Sequence, residues 1–208
     1  MDFRRFQFHH QEPAVERGWF ALVFDLFLEI EGILGPHARD FEMELCGERW
    51  GFLRCVVHFE KYVPSDLQDA VRAAIAVAEL ASGKICEVCG KPGKIADWRE
   101  NTVQSLCREH ALDMIFRAGS PELPGFDIWK VVSAEPHRFQ ITDNNGRRLL
   151  RDEVDRLIET AARRITACEA RARATKSATR RRRLIQSCVS DTVTHRELGK
   201  FAFIAEWE

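Results

Sequence analysis

The chain has 208 residues, 45% of them apolar and 30% charged, with a formal net charge of −1 and seven cysteines. That balance fits a soluble globular protein of one large or two small domains, and it excludes an intrinsically disordered or a uniformly basic chain. The charge is uneven. Met1 to Glu60 carries 6 Arg against 11 Asp plus Glu, giving −5, and Thr160 to Arg183 carries 9 Arg plus Lys against 1 Glu, giving +8. An acidic head and a basic segment near the tail bear on partners rather than on fold.

Met1 to Glu16 sets Phe3, Phe6 and Phe8 among polar residues, as a short strand would. It lacks the apolar core of a secretory signal. Arg17 to Leu34 predicts a helix, since Phe20, Val23, Phe24, Phe27, Ile30 and Leu34 recur at helical spacing and Gly35-Pro36 stops the run. Asp25, Glu29 and Glu31 interrupt this stretch, the most apolar of the chain, so it is too short and too charged to span a bilayer. The expectation is a cytoplasmic protein with no membrane contact.

Phe41 to Cys46 alternates, with Phe41, Met43 and Leu45 on one face and Glu42 and Glu44 on the other, and predicts a half-buried strand. Gly47 to Gly51 reads as a turn, with Glu42, Glu44 and Glu48 on one hairpin face, and Phe52 to Phe59 as the second strand. Ser65 is the expected cap of a helix to about Ser82, with Asp66 and Asp69 in its first turn. Leu67, Val71, Ala74, Ile75 and Ala78 form its packing face.

Cys86-Glu87-Val88-Cys89-Gly90 and Cys107-Arg108-Glu109-His110 follow, with seventeen residues between Cys89 and Cys107. Two short pairs at this separation suit one tetrahedral zinc ion held by Cys86, Cys89, Cys107 and His110. The first pair fits a knuckle in which Gly90 adopts positive φ. The second fits the first turn of a helix from Cys107 to about Arg117, where residues three apart share a face and the helix N-terminus favours a thiolate. Lys91 to Leu106 between them predicts a hairpin. Four protein ligands close the shell, so the expected Zn2+ is structural. Cys46, Cys55, Cys168 and Cys188 are left as reduced thiols, with a Cys46–Cys55 cross-strand pair as the alternative.

Knuckle, hairpin and ligand-bearing helix resemble a treble-clef zinc finger. With Gly18-Trp19, the segment Arg49-Trp50-Gly51-Phe52-Leu53-Arg54, Ala78-Glu79 and Trp98, the chain from Gly18 to about Arg117 resembles a family of small bacterial and phage zinc-binding proteins. The resemblance implies the fold and the metal, and no activity. Glu48 replaces the family's usual lysine, and Cys55-Val56 its aromatic pair.

Gly119 to Gly125 reads as a linker, placing one lobe at residues 1–118 and a second at 126–208. Asp127 to Ser133 and Arg138 to Asp143 predict strands around the turn Asn144-Asn145-Gly146 and a short third strand Arg147 to Leu150. A long helix starts near Asp152, its seam Val154, Ile158, Ala161, Ile165, Cys168 and Ala172 packing on that hairpin or, less simply, forming a homodimer. Arg171, Arg173, Lys176, Arg180, Arg181, Arg182 and Arg183 lie around its far end. Thr194 begins a capping box, and Phe201, Phe203 and Trp207 leave the terminus open between helix and strand. The class is α+β: helix–hairpin–helix, a treble-clef-like zinc finger, then a hairpin and a long helix.

No nucleophile grouping, phosphate loop or dinucleotide fingerprint stands out, so an enzyme is not expected. His9-His10 and His58 read as solvated or satisfied histidines. Two binding roles remain. The seven basic residues above, with Arg108 and Arg117, suit nucleic acid. Alternatively Glu42, Glu44 and Glu48 suit a basic protein partner, as in an immunity protein neutralising a toxin.

Overall fold

The structure, a computed structural model, describes residues 3, 6, 13–99, 102–116, 129–135 and 138–207. The chain is α+β and divides into two compact units, Met1–Met114 and Ile115–Glu208. The expected linker Gly119 to Gly125, Arg117 and His9-His10 lie outside the described residues. No described helix is long and apolar enough to cross a membrane.

In the first unit, a single 3-10 turn at Arg17–Trp19 leads into helix α1, Phe20–Leu34, which Gly35 ends at φ 51°. Its apolar stripe buries Val23, Phe27 and Ile30. Phe3 and Phe6 pack edge-on against Phe24 and Phe27, with ring centroids 5.3–5.8 Å apart. The N-terminal segment reaches the sheet through one parallel bridge, Ala14 to Gly47.

Strands β1, Phe41–Arg49, and β2, Phe52–Phe59, form an antiparallel hairpin. Two readings of this region are corrected. The turn is only Trp50-Gly51, both at positive φ, 57° and 76°. That is the sign pattern of a type I′ loop, which matches strand twist and lets Gly47 to Arg49 remain paired. A bulge between Met43 and Leu45 then shifts the register, so Leu45 turns outward and is 46% exposed.

Helix α2, Ser65–Ser82, has the expected length and buries Val71, Ala74, Ile75 and Ala78. Ser65 is its first residue rather than its cap, which falls on Pro64. The helix closes the outer edge of β2 with side chains: Ser82 Oγ accepts from Leu53 N at 2.8 Å and Glu79 Oε1 from Cys55 N at 3.0 Å. Strands β3, Lys94–Arg99, and β4, Thr102–Leu106, form the next hairpin, and helix α3, Arg108–Phe116, follows at once.

In the second unit, β5, Lys130–Glu135, pairs with β6, Arg138–Thr142. Gly146 turns the chain at φ 80°, and Asp143 accepts from the backbone N–H of Asn145 and Arg147, both at 3.0 Å. The expected third strand is reduced to one bridge, Thr142 to Arg148. Helix α4, Arg151–Ala174, starts where Glu153 Oε2 accepts from Leu150 N at 2.8 Å.

The long helix ends sooner than its pattern predicts. Thr175 and Ser177 are extended, and α5, Ala178–Ser187, is a separate helix capped by Ser177. It doubles back on α4 and is joined to it by a Cys168–Cys188 disulfide, which corrects the reading of those two cysteines as reduced thiols. α6, Val189–Val193, a π turn at Thr194–Leu198 and α7, Gly199–Ile204, continue as helix, so the terminus is not a strand and Thr194 is buried mid-helix rather than capping. The α4 seam packs chiefly on α5, α6 and the π turn, not on the β5–β6 hairpin. Val154, Ala161, Cys168 and Ala172 are buried there.

Candidate metal centre

The backbone brings the four predicted ligands together from three elements. Gly93 N donates to Lys84 O and Cys86 N to Lys91 O, both at 2.8 Å, closing a tight loop. Inside it Gly90 N donates to Cys86 O at 2.8 Å, and Gly90 takes φ 76°, so the knuckle forms as the sequence predicts. The β3–β4 hairpin, with Lys94 opposite Leu106, carries the chain back to the same place. Cys107 sits immediately before α3 and His110 in its first turn.

The ligand atoms of Cys86, Cys89, Cys107 and His110 all lie within 4.8 Å of one another and can hold a metal ion. Cys86 Sγ is 3.5 Å from His110 Nδ1, Cys89 Sγ is 3.8 Å from Cys107 Sγ, and Cys107 Sγ is 3.2 Å from His110 Nδ1. Cys86 and Cys107 are buried and Cys89 is exposed, so the cluster lies just below the surface.

The thiols are not equivalent. Burial pushes the Cys107 thiol up to about 11, against the His110 backbone N–H that favours its thiolate. Burial also opposes ionisation of Cys89, but the Lys91 backbone N–H and hydrogen bonds with Cys86 and Cys107 outweigh it, holding that thiol below its ordinary value. Lys91 Nζ pairs with Glu109 at 2.9 Å across the loop and α3.

Gly18 and Trp19 fasten the knuckle to the core. Gly18 N donates to Glu87 O at 2.7 Å and Trp19 Nε1 to Ile85 O at 2.9 Å. A side chain at Gly18 is excluded: its Cβ would lie 2.1 Å from Cys86 O. Glu87, between the first two ligands, is buried, with Oε1 accepting from Gln104 Nε2. Burial raises its carboxyl above the ordinary carboxylate value, with Gln104 and the Ser105 backbone opposing.

The other candidate residues are elsewhere. Arg171 and Arg173 end α4, Lys176 lies in the break, and Arg180 to Arg183 occupy the N-terminal half of α5. They therefore crowd an elbow, not the C-terminal end of one long helix. Among the described residues only Arg173 of these seven has a carboxylate partner, Glu169 at 3.2 Å. Arg108 is in the first turn of α3, beside the metal ligands.

The acidic face is split. Cross-strand partners share a face. Glu48 is opposite buried Leu53, whereas Glu42 is opposite exposed His58, so the bulge at Glu44 puts Glu42 and Glu48 on opposite sides of the hairpin. Glu48 accepts from Gly51 N in the turn.

One feature is absent from the sequence-derived candidates. A groove of 630 Å³ lies beside the β1–β2 turn, with Arg49, Trp50, Phe52, Arg54, Glu79 and Leu80 in its wall. Its sequence signal is Trp50 next to Gly51, which the alternation pattern absorbs as an ordinary turn. Cys46 and Cys55 are directly opposite each other, unbonded, with Sγ atoms 3.9 Å apart, and their hydrogen bond and burial push the Cys55 thiol up. No family model, no curated protein and no solved structure matches the chain.

Proposed function

We propose that the protein is a non-catalytic, zinc-stabilised binding protein whose ligand is nucleic acid, held by the cations of the α4–α5 elbow. The metal assignment rests on the donor set and its spacing. Three cysteines and a histidine suit zinc. Bonds of about 2.3 Å to sulfur and about 2.0–2.1 Å to nitrogen put tetrahedral neighbours roughly 3.6–3.8 Å apart. The 3.5 and 3.8 Å separations match, and the 3.2 Å one is a little short. Zinc here supplies cross-linking, with no open position for water. Knuckle, hairpin and helix in that order support the treble-clef-like reading and the resemblance to the bacterial and phage family.

The observation that carries the nucleic-acid reading is the unneutralised charge. Arg171, Lys176 and Arg180 to Arg183 are exposed. Elsewhere on the same unit arginines find carboxylates: Arg147 with Glu153 at 3.0 Å and Arg164 with Asp191 at 3.4 Å. Cations in the first turns of a helix oppose its dipole, at about 0.3–1 kcal/mol each at low salt. A polyanion on the elbow reverses that cost. The Cys168–Cys188 disulfide holds the two helices in one geometry while it does so. The alternative, an immunity-type protein partner, has less surface to use, since Glu42 and Glu48 face opposite ways.

Mobility shift across a salt series tests the proposal. Four phosphate contacts give a slope of log affinity on log salt of about −3 to −4 on duplex DNA. Changing Arg180 to Arg183 to Gln should flatten the slope and weaken all sequences alike, because adjacent arginines read phosphate charge rather than base edges. Absence of binding by the unaltered chain at low salt refutes it.

A further inference from the structure

The groove beside the β1–β2 turn has the chemistry of a stacking site. Trp50 is 65% exposed and Leu80 70% exposed, and Phe52 shares the groove wall with them. The Trp50 ring has no aromatic or hydrogen-bonding partner among the described residues. Its backbone is at φ 57°, a region that a bulky residue occupies rarely and that Asn, Asp or Gly fills in such loops. Backbone held in a sparsely populated region points toward function when the side chain it carries is largely exposed.

The occupant is narrowed by what the hairpin cannot offer. Beside the groove, strand addition is blocked on both edges. Leu53 N and Cys55 N are taken by Ser82 and Glu79 of α2. On β1, Cys46 O accepts from Ala14 N at 2.8 Å, and Glu48 N donates to Ala14 O at 3.3 Å. An extended peptide at the groove therefore finds those backbone groups already engaged. The groove offers faces instead: two aromatic rings and two guanidinium groups. Arg49 has no carboxylate partner among the described residues. Arg54 is 3.7 Å from Glu79 and more than half exposed. Aromatic faces flanked by cations hold an unpaired base and its phosphates.

The acidic charge of the head does not cancel this. Glu48 is engaged by the turn amide of Gly51. Glu42 is eight residues from Trp50, about 26 Å along the strand, beyond the Debye length of about 8 Å at physiological salt.

We propose that this groove stacks an unpaired base of single-stranded nucleic acid between Trp50 and Phe52, with Arg49 and Arg54 on the flanking phosphates. The proposal rests on the nucleic-acid reading of the protein and deepens it, naming single strands as the form engaged by the first unit.

Tryptophan fluorescence of the full chain tests it, because Trp19, Trp98 and Trp129 are buried and Trp207 half-buried, leaving Trp50 the exposed reporter. A short oligothymidylate should quench the emission. Trp50→Asn suits the turn, so it should melt no lower than the unaltered chain, yet lose the quench and bind the oligonucleotide about tenfold more weakly, with duplex affinity unchanged. Arg49→Gln should also weaken single-strand binding. Changing Arg180 to Arg183 to Gln should weaken duplex binding and keep the quench at low salt. If that change leaves duplex affinity intact, the elbow reading fails while the groove stands on its own result. No quench, equal oligothymidylate affinity in Trp50→Asn, or thymidine monophosphate bound as tightly as the oligonucleotide overturns the groove assignment.

Discussion

Glu87 lies buried between the first two residues of the metal-binding cluster. Its side chain is only 2% exposed, one oxygen takes the Gln104 amide, and Oε2 has no partner among the described residues. Burial, then the nearby Glu48 and Glu16 carboxylates, raises its pKa against the opposing Gln104 and Ser105 hydrogen bonds. A divalent ion held by three thiolates would carry a net charge of −1 and push in the same direction. A carboxyl whose folded-state pKa is raised binds its proton more tightly when folded. Its stabilising contribution is complete below the unfolded-state value and is lost as pH rises through the folded-state value. Glu87→Gln keeps the amide contact and cannot ionise. The melting temperature of Glu87→Gln relative to the unaltered chain should therefore rise with pH across that window. A difference that shrinks with pH contradicts the assignment. At this scale the four ligands were legible in the sequence because their spacing is local, whereas Glu87 was not, since its burial depends on Gly18, Gln104 and Ser105 arriving from other elements.

At the scale of elements, α1 and α2 follow their periodicity closely, because each carries its own punctuation: Gly35-Pro36, Pro64-Ser65 and Gly83. The failures have local physical causes. The bulge at Glu44 leaves no mark in the alternation of Phe41 to Leu45 and shows only in the pairing, where Met43 is opposite Val57 and Leu45 opposite Val56. The break between α4 and α5 falls in Thr175-Lys176-Ser177, which has neither Gly nor Pro, and only Ser177, a residue favoured at helix starts, marks it. With Cys168 and Cys188 twenty residues apart, closing that loop is worth about 3 kcal/mol. Cys188→Ser should lower the stability of the second unit by about that much, read by calorimetry, and leave the metal content unchanged. Equal unfolding of the reduced and oxidised chains means the disulfide does not hold the elbow.

For the whole molecule, the α+β class follows from pattern and composition, but the tertiary partners do not. The seam of α4 satisfies itself on helices that come later in the chain, which no window of sequence announces. The cluster of Cys86, Cys89, Cys107 and His110 is the exception, because spacing alone announces that residues far apart meet where a metal ion can be held. In the first unit, α1 is tied to the knuckle by Gly18 and Trp19, and α3 begins at a ligand, so the account requires the ion for the fold of that unit. Metal analysis of the purified chain beside Cys89→Ser tests this most directly. The account predicts one zinc per unaltered chain, and little zinc with a lower melting temperature in the variant. A zinc-free chain that melts cooperatively at the same temperature, or full retention of zinc by Cys89→Ser, would contradict it.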